Sequence, residues 1–307
     1  MYAIVMAAGI PQPDDPLYAH ARGEAKAMIE IAGRPMIHWV LDALGRASHV
    51  DEIIVVGLPS KSKLPSSKPI HYVSNQGQMP ANLAAGMEQA VALNPKTDHV
   101  LLTTADFPAI TAEMVDWFVE TAMQTRADVY AGACPRAVME KGYAEARPAY
   151  IALKDMRVCP AGIGIAHVRV MRGNLRGRWE QLVENGLNPM RLAGVLGLGL
   201  ATRLALRSLT LEEATQAVSE RLGVRMRAIV WNAAEPSIAA SAPGHLEILR
   251  RLLARRSRSV EARAGRPRSP RAGVRSGRTV AKKTDGQRGK KVVRPRRSSS
   301  PSRRRGR

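Results

Sequence analysis

Cysteine is scarce in this chain of 307 residues. The two present, Cys134 and Cys159, stand in no spacing that suits a metal knuckle. So few exclude a disulfide scaffold and fit a reducing, cytoplasmic setting. Long apolar runs are missing as well. The longest, Leu192 to Leu206, is glycine-rich, carries Arg203 and is shorter than a membrane span, so a buried helix is expected there and no transmembrane segment. The first residues lack a charged start followed by a long apolar core, because Gly9 and Pro11 interrupt at once, and no signal peptide is expected. The seven histidines are scattered and none pairs at metal spacing, so each is expected to be structural or on the surface. No Ser-His-Asp or Cys-His grouping is legible either.

Acidic and aromatic residues are both thin at the C-terminal end. Residues 257–307 hold 19 basic and 2 acidic side chains and no Phe, Trp or Tyr, a net +17 of the chain's +21. The remaining 28 basic and 24 acidic residues leave the body at +4, an ordinary balance for a folded domain. Built of Arg, Lys, Ser, Pro and Gly, the tail cannot bury enough apolar surface to offset its ordering entropy, and it is expected to be disordered. Such a polyelectrolyte either binds nucleic acid non-specifically through phosphates or serves as a solvated extension.

What the chain does contain begins at its first strand. Tyr2 to Met6 is a short apolar run of strand formers that stops at Ala7-Ala8-Gly9, where side chains are as small as they can be. This reads as a buried strand feeding a tight loop. Backbone N–H groups in such a loop can approach an anion such as phosphate closely. Lys26 lies downstream, and Gly33-Arg34-Pro35 leads into an apolar-periodic helix from Met36 to Leu44.

Beyond it the pattern alternates. Glu52 to Gly57 is a second buried strand, completing a β-α-β unit that implies a parallel sheet. A Ser, Lys and Pro loop over 61–68 precedes a strand at Ile70 to Val73; the polar turn 74–78 precedes a helix from Asn82 to Leu93. His99 to Thr104 is a buried strand ending in Ala105-Asp106-Phe107-Pro108, and Thr111 caps the next helix. A carboxylate at the C-terminal lip of a central parallel strand faces the crevice where open α/β sheets bind ligands, which makes Asp106 a candidate metal ligand; the alternative is a turn cap. Asp128 to Cys134 is a strand, and Arg136 to Arg147 is expected to be a loop or lid. Tyr150 to Leu153 and Ile163 to Val168 are expected as distal strands able to run antiparallel, with Val158 to Gly162 between them. Helices are expected over Val170–Asn185, Pro189–Leu206 and Leu211–Leu222, the latter two forming a helical insertion (187–222) whose leucine stripes are core. Val224 to Trp231 returns to the sheet, and a closing helix runs from Gly244 to about Ala254.

The series Ala7-Ala8-Gly9, the later Lys26 and Ile31-Ala32-Gly33-Arg34-Pro35-Met36-Ile37 resembles the opening of the MobA-like NTP transferases, a nucleotidyltransferase family. The similarity runs with gaps from Met1 to about Leu253. Relatives continue GxGxR after the glycine; here Ile10 to Ala21 forms an insert in the phosphate loop, and Arg22 is the candidate for the arginine. The resemblance implies a GT-A-like, Rossmann-like α/β fold with a mostly parallel sheet. It also implies base contacts from Asn75, Gln78 and Asn82, for which helix capping is the alternative, and Mg²⁺ on Asp106. Relatives often read acid-x-acid-x-Pro before the last helix, and aligning Pro243 with that proline puts Ala239 and Ser241 on the acidic positions.

The expected architecture is one α/β domain over 1–256 and a basic tail over 257–307. The expected activity is Mg²⁺-dependent transfer of a nucleotidyl group from an NTP to a phosphate or hydroxyl acceptor, with release of pyrophosphate. Ala7, Ala8 and Gly9 would hold phosphates and Lys26 would neutralise developing charge. The alternatives are a catalytically degenerate nucleotide-binding module and a nucleic-acid-associated protein acting through its tail.

Overall fold

A computed structural model describes residues 1–185 and 197–264. Eight strands form one sheet in the order β10-β7-β9-β6-β1-β4-β5, with β8 paired on β9. In chain order these strands are β1 (Tyr2–Met6), β4 (Glu52–Val56), β5 (Ile70–Val73), β6 (His99–Thr104), β7 (Val129–Pro135), β8 (Ile151–Ala152), β9 (Arg157–His167) and β10 (Met226–Val230). β2 (Glu30–Ile31) and β3 (Arg34–Pro35) form a separate antiparallel pair. The main sheet is mostly parallel: β1 pairs parallel with β4 and β6, β4 with β5, and β7 with β10. β9 alone among these central strands runs antiparallel to both neighbours, β6 and β7.

Alternation explains why β1 reads as a continuous apolar run. Ala3 and Val5 point to one face, where they pack with α2 (Met36–Arg46), α4 (Ala112–Met123) and α9 (Pro243–Ala264). Ile4 and Met6 point to the other, against α3 (Met79–Leu93) and α6 (Gly173–Asn185). Both faces are covered, so both sets must be apolar. On α2, Met36, Ile37, Val40, Leu41 and Leu44 are fully buried on one stripe. Each contributes about 1.5–3 kcal/mol relative to exposure. Thr111 caps α4 as its sequence indicates, its hydroxyl accepting from Met114 N–H. α3 starts at Met79, three residues before the expected Asn82, with Pro80 in its first turn, where a missing N–H costs nothing.

Several expectations are corrected. Arg136 to Arg147 is no loop: Arg136–Tyr143 forms α5 and Ala144–Ala146 a 3-10 turn. Met139 is fully buried there, and an i,i+4 pair, Arg136 Nε to Glu140 Oε1 at 2.6 Å, decorates the outer face. Val158 to Gly162 is no connection either but the first half of β9, where the small Gly162 leaves room for the Phe107 ring; a Cβ there would lie 2.0 Å from it. The leucines between Leu198 and Leu206 are not fully buried, whereas Leu222, at the end of the second expected insertion helix, is core. α7 (Leu198–Ala205) buries no residue fully, and Leu198 and Leu206 are 78% and 73% exposed. The earlier part of the expected Pro189–Leu206 helix, the matching part of the insertion, and the expected disorder of the tail beyond Ala264 lie outside the described residues.

α8 (Leu211–Leu222) follows its expected bounds and carries a capping box at Thr210 and Glu213. α9 extends past Ala254 to Ala264, so residues 257–264, expected to belong to the disordered tail, are helical instead. Within that extension Arg256 donates to the carbonyls of Ala109 (3.0 Å) and Ile110 (3.3 Å), lashing the last helix to the segment that follows β6. Among the described residues no helix is long and apolar enough to cross a membrane.

Candidate active site

Because β1, β4, β5, β6, β7 and β10 run the same way, their C-terminal ends form one lip. In sheets of this kind that lip is where ligands bind. Ala7 to Gly9 leaves β1 there. Ala7 N–H donates to the Val56 carbonyl (2.8 Å), so the loop starts across the end of β4. Gly57 then turns away at φ +103, and a Cβ on it would lie 2.3 Å from Ala8 Cα. The loop can pass this close only because residue 57 has no side chain. Gly9 differs: a Cβ there would meet nothing within 4 Å, so the loop is open on that side.

Residues 10–25 leave this loop and return to it. Lys26 N–H donates to the Gly9 carbonyl (2.8 Å), closing the segment at its base. Inside it, Asp15 Oδ1 accepts from Leu17 N–H (2.8 Å) and Leu17 is driven fully into the core, ahead of the single helical turn α1 (Tyr18–Ala21). Arg22 ends that turn in the left-handed region and is exposed.

Lys26 Nζ donates to Asp106 Oδ2 at 2.7 Å, with side chains 18% and 32% exposed. The two residues that the sequence singles out 80 positions apart are therefore in contact. Asp106 is held beside the loop because Ala105 N–H donates to the Met6 carbonyl (3.0 Å). On its other side, the Asp106 carbonyl accepts from Ala240 N–H (2.8 Å). Ala239 and Ser241 thus flank a residue in direct contact with Asp106, and neither offers a carboxylate.

Asn75, Gln78 and Asn82 sit at the end of β5 and the start of α3, but they are not equivalent. Asn82 is 3% exposed, accepts from Gln76 N–H (2.7 Å) and donates to Asn75 Oδ1 (3.0 Å). Asn75 Oδ1 also accepts from Gly77 N–H (2.9 Å). Asn82 therefore braces the 75–77 turn from beneath. Gln78 holds the N-cap position without a side-chain cap bond and is exposed, as is Asn75.

Among the described residues no group of three or more His, Cys, Asp or Glu side chains converges as a metal site. Asp106 Oδ2 is taken by Lys26, and among the described residues Oδ1 has no hydrogen-bond partner. Magnesium is often bound through one or two carboxylates, with phosphate oxygens and water completing its octahedron. One free carboxylate oxygen beside an open glycine loop fits an ion that arrives with a polyphosphate, and does not fit an ion held by the protein alone.

Two features of this lip have no counterpart in the sequence reading. One is Gly57, legible only as the end of a strand. The other joins Ser241 and His245: Ser241 Oγ lies 2.9 Å from His245 Nδ1, and His245 Nε2 lies 2.8 Å from the Ala146 carbonyl. Their four-residue spacing across the start of α9 was the available signal, since such residues face one another on a helix.

A family model described as the MobA-like NTP transferase domain matches residues 3–194. No curated protein matches the chain. Among solved structures, a hypothetical transferase from Thermus thermophilus is similar at 24% identity and TM-score 0.67, covering 80% of this chain and 98% of that one. A CMP:2-keto-3-deoxy-manno-octonic acid synthetase complexed with CTP is similar at 16% identity and TM-score 0.53, covering 83% and 99%. At these identities the two structures speak for the fold.

Proposed function

The chain belongs to the MobA-like NTP transferase family, and we propose that it transfers a nucleotidyl group from an NTP to a phosphate or hydroxyl acceptor, releasing pyrophosphate. The observation that carries this reading is the Lys26–Asp106 contact beside the Ala7–Gly9 loop. An in-line displacement at the α-phosphate asks a protein chiefly for positioning and charge stabilisation. The backbone of Ala7, Ala8 and Gly9 holds the phosphates, together with Arg22. Lys26 offsets the charge that develops on the departing pyrophosphate. Asn75 and Gln78 face the base from the turn that Asn82 braces. Asp106 would hold Mg²⁺ through Oδ1, and the ion, when bound, screens the phosphate oxygens against one another.

The test is a thermal-shift panel of the four NTPs with and without Mg²⁺, followed by pyrophosphate release. A ligand that binds only the native state raises the midpoint by mass action. Asp106→Asn is expected to abolish the Mg²⁺ dependence of the shift; the same dependence in the variant would remove Asp106 from the metal. A second reading, a nucleotide-binding module without turnover, is favoured by one observation: the segment touching Asp106 carries Ala239 and Ser241. Binding without pyrophosphate release would select it.

The basic tail supports a separate activity, non-specific association with DNA or RNA. Full-length protein is expected to bind labelled duplex with a steep salt dependence, and protein ending at Ala264, the last residue of α9, to bind weakly or not at all. Equal binding by both forms would move the nucleic-acid site to the folded domain.

A further inference from the structure

The Ser241–His245 pair lies on the same lip as Asp106. Ala240 N–H donates to the Asp106 carbonyl (2.8 Å), so the next residue, Ser241, stands beside the candidate site, and its side chain is exposed. The hydrogen-bond directions follow from chemistry. The Ala146 carbonyl can only accept, so His245 Nε2 carries the proton it donates at 2.8 Å. In the neutral ring Nδ1 is then an acceptor, and the Ser241 hydroxyl donates to it at 2.9 Å. The Ala146 carbonyl thereby fixes both the tautomer and the ring orientation.

Helix capping does not account for the pair. The first α9 amides turn to the Ala242 carbonyl, which accepts from His245 N–H (3.0 Å) and Leu246 N–H (3.2 Å), while the Ser241 hydroxyl points to an imidazole. The charges named around it already have ion-pair partners. Lys26 and Asp106 are paired with each other, as are Glu145, beside Ala146, and Arg251 of α9, at 2.9 Å.

Such a relay matters for one class of acceptor. A phosphate oxygen is already anionic and needs no base to attack the α-phosphorus. A hydroxyl must lose its proton as the new bond forms, and histidine is the side chain most often used for that step. Resting on the transferase reading above, we infer that the acceptor is an alcohol, and that its proton leaves through Ser241 to His245. The acceptor oxygen bonds to the α-phosphorus, and the bond from that phosphorus to the bridging oxygen breaks, its electron pair departing with pyrophosphate. The acceptor proton passes to Ser241 Oγ while Ser241 passes its own to His245 Nδ1. The resulting imidazolium keeps its Nε2–H on Ala146 and later releases the extra proton to solvent. Ser241 touches the acceptor; His245 acts through it.

The experiment uses the full chain and the NTP that gives the largest thermal shift. Pyrophosphate release is compared with water, glycerol and glucose as hydroxyl probes and with inorganic phosphate and methyl phosphate as anionic ones. Release is expected with the hydroxyl probes. In His245→Ala it should fall about 10²-fold or more in kcat, with KM for the NTP unchanged and with partial recovery on adding imidazole, which a merely structural histidine would not show. Ser241→Ala, an exposed change that spares the fold, should lower kcat in the same direction. Release onto the phosphate probes alone, unchanged kcat in both variants, or label from α-phosphate-labelled NTP remaining on the protein would each overturn the inference, as would nucleotide binding without release to any hydroxyl probe. Failure of every NTP to shift the midpoint would instead overturn the transferase reading.

Discussion

Gly57→Ala tests the link between the end of β4 and the nucleotide loop. The new Cβ would stand 2.3 Å from both Cα and Cβ of Ala8 and 2.6 Å from its backbone nitrogen, at a φ of +103. None of these neighbours is the far end of a flexible side chain, so the loop itself must move. An L-residue forced to positive φ costs about 1–2 kcal/mol, and displacing packed backbone adds about 1–3 kcal/mol. The total of about 2–5 kcal/mol corresponds to a drop of about 4–20 °C in melting midpoint for a chain of this size. Because the atoms displaced belong to Ala8, NTP affinity should fall as well, by about tenfold for every 1.4 kcal/mol of lost contact. Gly9→Ala is the matched control. Its Cβ meets no protein atom within 4 Å, so stability should change by less than about 0.5 kcal/mol while affinity drops. Calorimetry and NTP titration on both variants decide. A Gly57→Ala protein with unchanged midpoint and affinity would refute the idea that this crowding shapes the loop.

Lys26→Ala should weaken NTP binding while leaving the melting midpoint within about 2 °C, since the side chain makes a partly exposed ion pair and packs little core. A large loss of stability with unchanged affinity would make the residue structural. Asp128→Asn should do the opposite, destabilising by about 2–3 kcal/mol with nucleotide binding intact. Its carboxylate is 1% exposed and accepts from Arg169 Nε (2.7 Å), Arg169 Nη2 and the Arg225 N–H (2.7 Å). Burial pushes that carboxyl up, but the hydrogen bonds and charges of Arg169 and Arg225 outweigh it and hold it below the usual range. The stabilisation is therefore present above the unfolded-state value of about 4 and fades as pH falls through the lower folded value. Unfolding titrations at pH 7 and pH 3 should show the difference from the parent protein shrinking; a constant difference would rule out charge as its source.

The chain by itself determined most of the strands, most of the helices and the two central side chains of the candidate site. Tyr2–Met6, Ile70–Val73, His99–Thr104 and Leu211–Leu222 occupy their expected bounds, because burial on both sheet faces or on one helix stripe is written directly into local periodicity. Lys26 and Asp106 were legible one at a time, each by its position after a glycine loop or a buried strand. Their contact was not, since 80 residues separate them and only the parallel pairing of β1 with β6 brings their ends together. α5 hid behind a polar composition, as its one fully buried side chain is Met139, with Val138 and Tyr143 only half-buried against the core. The leucines of α7 misled in the other direction: spacing can show a stripe but not whether anything covers it. The role of Asn82 as a brace, the closeness of Gly57 to Ala8, and the tautomer of His245 were settled by tertiary structure. Each depends on an atom of another segment arriving within bonding or van der Waals distance, and no local pattern encodes that distance.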